Sequence, residues 1–510
     1  MSELPVGWAT TTLGEVATET VSQGGPALGQ EVFTYVDIGS IDRESKRIST
    51  PQLLESSKAP SRAKQRLIAG DVLVSMTRPN LNAVTMVPDG LVGSVGSTGF
   101  RVLRTRFVSP TWLGYRVQSS DFVSAMSMKV QGALYPAVRP ADIDQFEISL
   151  PPRREQDRII AEVEQQFTRL DAATRALKRA QANLKRYRAS VLKAACEGRL
   201  VPTEAELARN ENHDYEPADK LLERILRERR ARWEANTLAK MIVSGKPPKD
   251  DSWKQKYEEP VTPRTSDLPS LPEGWSWTNL SQLKLFSLYG PRFSSDDYTP
   301  DGVVVLRTTD ISSAGKVDML SAPRLQLTEA DLEKYHLRPG DLVFTRTGAT
   351  VGKLAIFDDD VQAIPGAYLI HYRTVFGESL PWYVYRFFQT QVGQDALLRG
   401  TRGIGQPNLN APTIESIPIP LPPWHEQGRI LLALDQVLSI SGKQEEVVEI
   451  AQRNGGRLRN AVLQSAFIGK LVPQCPTDEP ASALLERIRT EPSLVMTKIT
   501  RHSKKRSTHV

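Results

Sequence analysis

Apolar residues recur at alternating steps of three and four along two long stretches of this chain. Both stretches, 153–201 and 424–472, lack proline, and each follows a Pro-Pro pair. Because proline is tolerated at the start of a helix and breaks its interior, each stretch predicts one long helix. In the first stretch the predicted coiled-coil seam consists of Ile160, Val163, Phe167, Leu170, Thr174, Leu177, Gln181, Leu184, Arg188, Val191 and Ala195.

The second stretch carries a looser seam, interrupted by Ser441, Gln444 and Gly455. We expect the two helices to pair, because an exposed seam of about 40 residues needs a partner of matched length. The alternative is two separate amphipathic helices, each packed on its own domain. The apolar members of the second seam are Ile430, Leu434, Val437, Val448, Ala451, Leu458 and Val462.

Outside these stretches the pattern changes to short apolar runs between turns that contain glycine or proline. Examples are LIAGDVLVSM at 67–76 and DLVF at 341–344. Such runs are typical of strands and loops with some helix, so the sequence predicts an α+β fold.

The whole pattern occurs twice, which indicates a domain duplication rather than a solenoid of short repeats. The repeated segments, each with its copy, are LPVGW and LPEGW (4–8 and 271–275), ISLPPRREQDRII and IPLPPWHEQGRIL (148–160 and 419–431), and VLKAACEGRLVP and VLQSAFIGKLVP (191–202 and 462–473). Two similar modules in one chain suit a partner that is itself a repeating polymer.

The repeats divide the chain into six predicted parts. Two mixed domains each precede a long helix, and a charged helix candidate at 218–236 shares its LLERI core with 481–491. Between the repeats, 245–267 is rich in proline, lysine and aspartate and predicts an exposed tether. We expect disorder at 500–510, which is basic and poor in apolar residues. The predicted parts are domain 1 at 1–150, a long helix at 151–202, a linker at 203–270, domain 2 at 271–420, a second long helix at 421–473 and a C-terminal helix with a basic tail at 474–510.

Composition narrows the class of protein. The chain has 510 residues, a formal charge of +6 and a sequence pI of about 9.1, a mild lean toward a polyanion such as nucleic acid. The two cysteines, Cys196 and Cys475, form neither a disulfide framework nor a paired-thiol zinc cluster, which favours a reducing interior such as the cytoplasm. We expect no signal peptide and no membrane span, because no apolar run is long enough.

Catalytic motifs are missing from the sequence, and what recurs instead is a pair of polar, basic loops. We call loop A the segments 75–84 and 345–353, and loop B the segments 131–140 and 399–412. Arginine, asparagine and glutamine read base edges, while lysine and arginine neutralise phosphates. The candidate DNA-contact residues are Arg78, Asn80, Asn82, Tyr135 and Arg139 in the first repeat and Arg346, Thr347, Lys353, Arg399, Arg402, Gln406, Asn408 and Asn410 in the second.

These motifs resemble the specificity (S) subunit of type I restriction-modification systems. The resemblance covers nearly the whole chain. It rests on LPxGW opening each half, GDLVFTRTGATVGK at 340–353, GIGQPNLN at 403–410 and LPPxxEQxRI starting each long helix. The first half departs from this pattern, with RPNLNAV in loop A and GALYPAVRP in loop B, so the two domains are expected to read different half-sites.

The resemblance implies two globular target-recognition domains separated by two long antiparallel coiled-coil helices, a pseudo-two-fold arrangement. It implies that the chain reads a bipartite, asymmetric double-stranded DNA target and does no chemistry itself. It also implies two modification (methyltransferase) subunits and restriction (endonuclease) subunits as partners. S-adenosylmethionine, ATP and magnesium would bind to those subunits, and no cofactor or metal to this chain. The alternative is a DNA-binding scaffold or regulator that acts without methyltransferase partners.

Overall fold

The computed structural model describes residues 4–27, 29–130, 136–312, 314–400 and 408–491. The α-helices within these residues are α1 Leu13–Val16, α2 Pro110–Arg116, α3 Ser120–Met128, α4 Pro140–Asp144, α5 Arg153–Cys196, α6 Glu204–Glu211, α7 Ala218–Val243, α8 Leu280–Leu283, α9 Glu329–Tyr335, α10 Ser379–Gln389, α11 Gln391–Arg399, α12 Ala411–Glu415, α13 Trp424–Phe467 and α14 Ala481–Thr490.

The strands in the same residues fall into a first group before α5 and a second group before α13. The first group is β1 Ala9–Thr12, β2 Val32–Val36, β3 Ile41–Asp42, β4 Arg47–Ile48, β5 Gln52–Glu55, β6 Ala63–Arg66, β7 Val72–Ser75, β8 Val84–Met86, β9 Val95–Ser97, β10 Phe100–Leu103 and β11 Glu147–Leu150. The second is β12 Ser276–Thr278, β13 Lys284–Tyr289, β14 Val303–Leu306, β15 Arg324–Leu325, β16 Leu342–Thr345, β17 Leu354–Ile356, β18 Ala363–Pro365, β19 Leu369–Thr374 and β20 Ile419–Leu421.

The chain forms two compact units, and each long helix contributes to both. Unit 1 consists of Met1–Arg179 and Val448–Val510, and unit 2 is the continuous stretch Ala180–Val447. Each unit thus contains one strand-rich domain, the nearer part of one long helix and the farther part of the other. None of the helices in the described residues combines the length and apolarity needed to cross a membrane.

The sheets of the two units follow the same plan. In unit 1, β7 pairs antiparallel with β8 and β10, while β2 pairs parallel with β9. In unit 2, β16 pairs antiparallel with β17 and β19, while β14 pairs parallel with β18. A short antiparallel pair, β1 with β11 or β12 with β20, joins the start of each domain to the strand that leads into the long helix. The α+β prediction is therefore confirmed.

The long helices pair in an antiparallel sense within each unit. In unit 1, Arg459 forms an ion pair with Asp171 and lies over the ring of Phe167, with 4.7 Å from guanidinium carbon to ring centroid. In unit 2, Arg188 pairs with Glu445 at 2.5 Å. The predictions of two long helices and of their mutual pairing are confirmed, since α5 and α13 each span 44 residues.

The details of the seam depart from the prediction at a few positions. Leu458 is 52% exposed, so it was wrongly placed in the seam. Ser441, taken as an interruption, is only 1% exposed. Its hydroxyl donates to the backbone O of Leu438 at 3.1 Å, which satisfies its polarity.

The linker between the repeats is exposed over most of 245–267, as predicted, but part of it packs against α7. Helix α7 runs to Val243, and the following chain forms a short 3-10 helix, Asp251–Lys256. Trp253 of that turn is buried and stacks on Trp233 of α7, with centroids 6.0 Å apart. The aromatic contact fixes this part of the linker to α7. The predicted disorder at 500–510 falls outside the described residues.

The LPxGW and EQ motifs of the two repeats are contact partners. The indole Nε1 of Trp8 donates to Oε1 of Glu155 at 3.0 Å, and Trp275 donates to Glu426 in the same way at 3.0 Å. Burial is the largest influence on both glutamates and raises the pKa of each. These two bonds fasten the start of each domain to the first turn of its own long helix.

The LLERI helices complete this junction. The backbone N of Ala481, the first residue of α14, donates to the O of Gly7 at 2.8 Å, and Ala218 of α7 donates to Gly274 at 2.7 Å. Leu484 and its neighbours on α14 join the core of unit 1, as Leu221 on α7 joins the core of unit 2. The apolar faces of both helices are therefore used inside the units.

Candidate nucleic-acid interface

Loops A and B, which lie far apart in the sequence, come together in both units. In unit 2, Thr347 of loop A forms an isolated β-bridge with Asn408 of loop B. In unit 1, Thr77 and Ala137 form the corresponding bridge. The structure thus brings together the two segments that the sequence singles out, and it does so twice.

Loop A has the same backbone form in the two units although its residues differ. It contains a short 3-10 helix in each case, Pro79–Leu81 or Gly348–Thr350. Two positions of loop A, one and five residues after the bridging threonine, have positive φ. In unit 1 these are Arg78 (φ 49°) and Asn82 (φ 48°), and in unit 2 they are Gly348 (φ 77°) and Gly352 (φ 83°).

Left-handed backbone is disfavoured for a residue with a side chain, and only glycine adopts it freely. Unit 1 nevertheless places an arginine and an asparagine where unit 2 has glycine. Strain of this kind concentrates at functional sites. The exposed side chain of Arg78 is accordingly the strongest candidate contact in unit 1.

Arg346 is the best-defined candidate in unit 2. Its guanidinium carbon lies 4.7 Å from the ring centroid of Tyr289. Its Nε is buried and has no protein acceptor within the described residues. Such an unsatisfied donor is typical of a site that binds something else. Asn408 of loop B is exposed, and so is Arg399 at the end of α11. Thr347 is half-buried.

Four candidates have partners inside their own unit. Nζ of Lys353 lies 3.3 Å from the backbone O of Ile311. Nδ2 of Asn82 donates to the backbone O of Gln118 at 3.0 Å. These two side chains are engaged in holding loop A, which the sequence did not reveal.

The other two candidates of this kind begin helices. Oδ1 of Asn410 accepts from the backbone N of Thr413 at 2.9 Å, at the start of α12. Arg139, at the start of α4, binds Asp142 through Nη2 at 3.0 Å, and this hydrogen bond lowers the pKa of Asp142 to about 2. Of the remaining candidates, Asn80 is exposed on loop A, while Tyr135, Arg402 and Gln406 lie outside the described residues.

Sequence reasoning missed the aromatic part of the site. Tyr289 stacks under Arg346, and its hydroxyl accepts from the backbone N of Ala411 at 3.0 Å. The side chain of Tyr368 is 54% exposed, and its backbone O accepts from the backbone N of Arg346 at 3.0 Å. No local pattern marks either tyrosine, because each reaches loop A from a different strand end.

Comparison with known proteins finds a matching family model and similar chains. Residues 290–450 match the family model of the Type I restriction modification DNA specificity domain. The EcoKI specificity subunit of Escherichia coli K12, a type I restriction enzyme component, is 22% identical over 96% of this chain and 96% of its own length. The EcoDI specificity subunit of Escherichia coli is 23% identical over 71% of this chain and 72% of its own.

Solved structures share the fold. A chain from a type I R-M system covers 92% of this chain and 100% of its own, with 22% identity and a TM-score of 0.66. The HsdS subunit from Thermoanaerobacter tengcongensis covers 92% of this chain and 98% of its own, with 24% identity and a TM-score of 0.50. Residues 290–450 thus carry a type I DNA specificity domain. More narrowly, the chain is similar over nearly its whole length to specificity subunits of type I restriction enzymes, as its motifs predict.

Proposed function

We propose that this chain is the DNA sequence-specificity subunit of a type I restriction-modification complex and reads a bipartite, asymmetric target. The observation that carries the proposal is the recurrence of one loop A–loop B pair on two equivalent frames with different side chains. Symmetric dimers read palindromes with identical elements. Two frames with unlike loops suit two unlike half-sites.

The reading chemistry follows from the polar side chains of the loops. Arginine contacts guanine bidentately and asparagine contacts adenine, whereas other cations and backbone groups hold phosphates. We assign base reading or phosphate contact to Arg78 and Asn80 in unit 1 and to Arg346, Thr347 and Arg399 in unit 2. Tyr135, Arg402, Gln406 and Asn408 complete the proposed interface.

Methylation and cleavage are assigned to partner subunits rather than to this chain. We propose two modification subunits, which would carry S-adenosylmethionine, and restriction subunits, which would carry ATP and magnesium. Nothing in the sequence of this chain supplies a methyltransferase or nuclease motif.

The outer faces of α7 and α14 are the proposed docking sites for the two modification subunits. Each presents an exposed ion pair at the same place, Arg224 with Glu216 at 2.8 Å and Arg487 with Glu479 at 2.5 Å. Exposed pairs of this kind contribute little to folding. Their presence in both copies of the helix therefore favours a partner that binds twice.

Docking is tested by charge reversal on these outer faces. Glu223→Lys on α7 and Glu486→Lys on α14 change exposed residues and leave the buried face intact. Each variant should lose one modification subunit, as measured by native mass spectrometry of the co-purified complex, and Glu329→Lys on α9 serves as the control. Retention of both subunits in the two variants would refute the docking assignment.

Recognition itself is tested by sequencing methylated bases. The full chain, co-expressed with a type I modification subunit from the same genome, is incubated with genomic DNA and S-adenosylmethionine. Methylation should appear only at one split, non-palindromic sequence and should disappear when either partner is omitted. Methyl transfer by the purified chain alone would contradict the non-catalytic role.

A further inference from the structure

A lysine connects a β-hairpin to loop A in each unit. The lysine belongs to the hairpin in unit 1 and to loop A in unit 2. In unit 1, Lys46 lies in the turn between β3 and β4, and its Nζ donates to the backbone O of Asn82 in loop A at 2.5 Å. In unit 2, Lys353 lies in loop A, and its Nζ donates to the backbone O of Ile311 in the hairpin at 3.3 Å. Each ammonium group spans the space between hairpin and loop.

The two hairpins are equivalent elements. Ile41 pairs with Ile48 in unit 1, and Ile311 forms a bridge with Val317 in unit 2. Residues 41 and 311 are separated by the same number of positions as the bridging threonines 77 and 347. The lysine contacts therefore serve the same junction, although the lysines themselves occupy non-equivalent positions.

The hairpin, like loop A, has a left-handed position where unit 2 has glycine and unit 1 has a residue with a side chain. Lys46 (φ 56°) and Gly315 (φ 77°) each lie two residues before the residue that closes the hairpin. A second contact holds the lysine backbone, because the hydroxyl of Thr85 donates to the O of Lys46 at 2.9 Å. At three left-handed positions around this junction unit 2 has glycine and unit 1 has a polar side chain, namely Gly315 and Lys46, Gly348 and Arg78, Gly352 and Asn82.

We propose that Lys46 and Lys353 are positioning residues, which fix loop A against the hairpin so that its exposed side chains meet DNA in one conformation. The proposal rests on the DNA recognition proposed above. It gives Lys353 an internal role in place of the phosphate contact that its sequence position suggests. A lysine that contacts phosphate needs an exposed ammonium group, whereas both of these are directed to backbone oxygens of the same unit.

The environment of Lys46 agrees with an internal role. Burial is the largest influence on its ammonium group and, together with the charge of Arg43, lowers the pKa of Lys46 to about 8, although Asp42 acts in the opposite direction. An ammonium group turned to solvent and phosphate would not be desolvated in this way.

The test compares Lys46→Met and Lys353→Met with matched changes of exposed cations in the same hairpins, Arg43→Met and Lys316→Met. The full chain first selects a preferred duplex from a pool of random sequence. For every variant we then measure the affinity for that duplex and for a scrambled one across a salt series. Hydrogen exchange of loop A and of the hairpin is measured in the same proteins.

Positioning and phosphate contact predict different results. If the lysines position loop A, discrimination between the two duplexes should fall roughly tenfold, the order of one lost hydrogen bond from a charged donor. The slope of log affinity against log salt should stay unchanged, and hydrogen exchange should rise in loop A of the altered unit. The two control variants should keep the discrimination of the unmodified chain.

Two results would overturn the proposal. One is a salt slope reduced by about one with exchange unchanged, which marks a phosphate contact. The other is faster exchange with full discrimination, which marks a purely structural contact. If a methionine variant does not fold, the Lys→Gln variant at the same position is tested instead, because glutamine keeps a hydrogen-bond donor. Failure of the unmodified chain to select any duplex would instead refute DNA recognition itself, and with it the role of the lysines.

Discussion

Replacing Gly469 by alanine should destabilise unit 1, whereas replacing a glycine inside α13 by alanine should stabilise it. Gly469 follows the last turn of α13 with φ 71°, and the next amide, from Lys470, donates back to the O of Ser465 at 2.9 Å. This is the glycine-dependent end of a helix. Gly198 ends α5 in the same way, with φ 66°.

The cost has two parts. An alanine in left-handed backbone is disfavoured by about 1–2 kcal/mol. A Cβ at position 469 would also stand 2.4 Å from Cγ of Pro5, well inside ordinary contact, so the LPxGW segment must shift. Position 198 meets Pro272 equivalently, at 2.5 Å. Together these terms predict a loss of at least about 2 kcal/mol, of the size seen for strained backbone substitutions.

Gly456 provides the matched control. It lies within α13, and a Cβ there would meet no atom within 4 Å. Gly456→Ala should therefore stabilise the helix by about 1 kcal/mol, since alanine is the better helix former.

Chemical unfolding followed by circular dichroism distinguishes these cases. Gly469→Ala should lower the midpoint of the transition of unit 1, Gly198→Ala that of unit 2, and Gly456→Ala should raise the midpoint. If Gly469→Ala unfolds at or above the midpoint of the unmodified chain, the assigned role of this helix end is wrong.

Three further predictions concern other parts of the frame. Trp275→Phe removes the indole donor from the buried carboxylate of Glu426 and should cost about 1–3 kcal/mol in unfolding free energy, whereas a loss below 0.5 kcal/mol or so would show that the bond is dispensable. In Asp341, burial opposes ionisation, but the hydrogen bonds of Arg373 and His371 outweigh it and hold the pKa below 3.8. Because the folded pKa of Asp341 is depressed, the stability lost in Asp341→Asn should be full at neutral pH. The loss should vanish as the pH falls through the lowered pKa of Asp341, and a loss independent of pH would contradict this account. Inserting four residues after position 179 and four after position 447, at the borders of the units, lengthens each helix by about 6 Å. The unread gap in the DNA target should widen by about one or two base pairs, and an active protein that keeps the original spacing would show that the helices do not set it.

The sequence predicted the long helices well because their signal is local and strong. The absence of proline and the recurring apolar seam can be read from the sequence without knowing distant contacts. Helices α5 and α13 each begin at the first residue after a Pro-Pro pair. Leu458 was misplaced because a leucine at seam spacing was taken as buried, whereas the neighbouring Arg459 reaches across the seam to Asp171.

The loops were found, but the use of their side chains was not predictable. Duplication located loops A and B, since similar polar segments recur at matching places. Whether a lysine faces solvent or a backbone oxygen depends on a hairpin some 40 residues away, as for Lys353 and Ile311. The left-handed positions of unit 1 were equally hidden, because Arg78 and Asn82 look like ordinary turn residues until glycines appear at the same places in unit 2.

The position of α14 has a consequence for the order in which the protein forms during synthesis. Unit 2 is continuous in sequence, so all of its parts are made in one uninterrupted stretch of synthesis. Unit 1 is completed only when α14 arrives, and the contact of Arg489 with Glu15 closes a loop of 474 residues. Contacts of such separation form late. The nascent first domain must therefore wait with Trp8 and the surrounding core uncovered, and it is the part of the chain most in need of protection by chaperones.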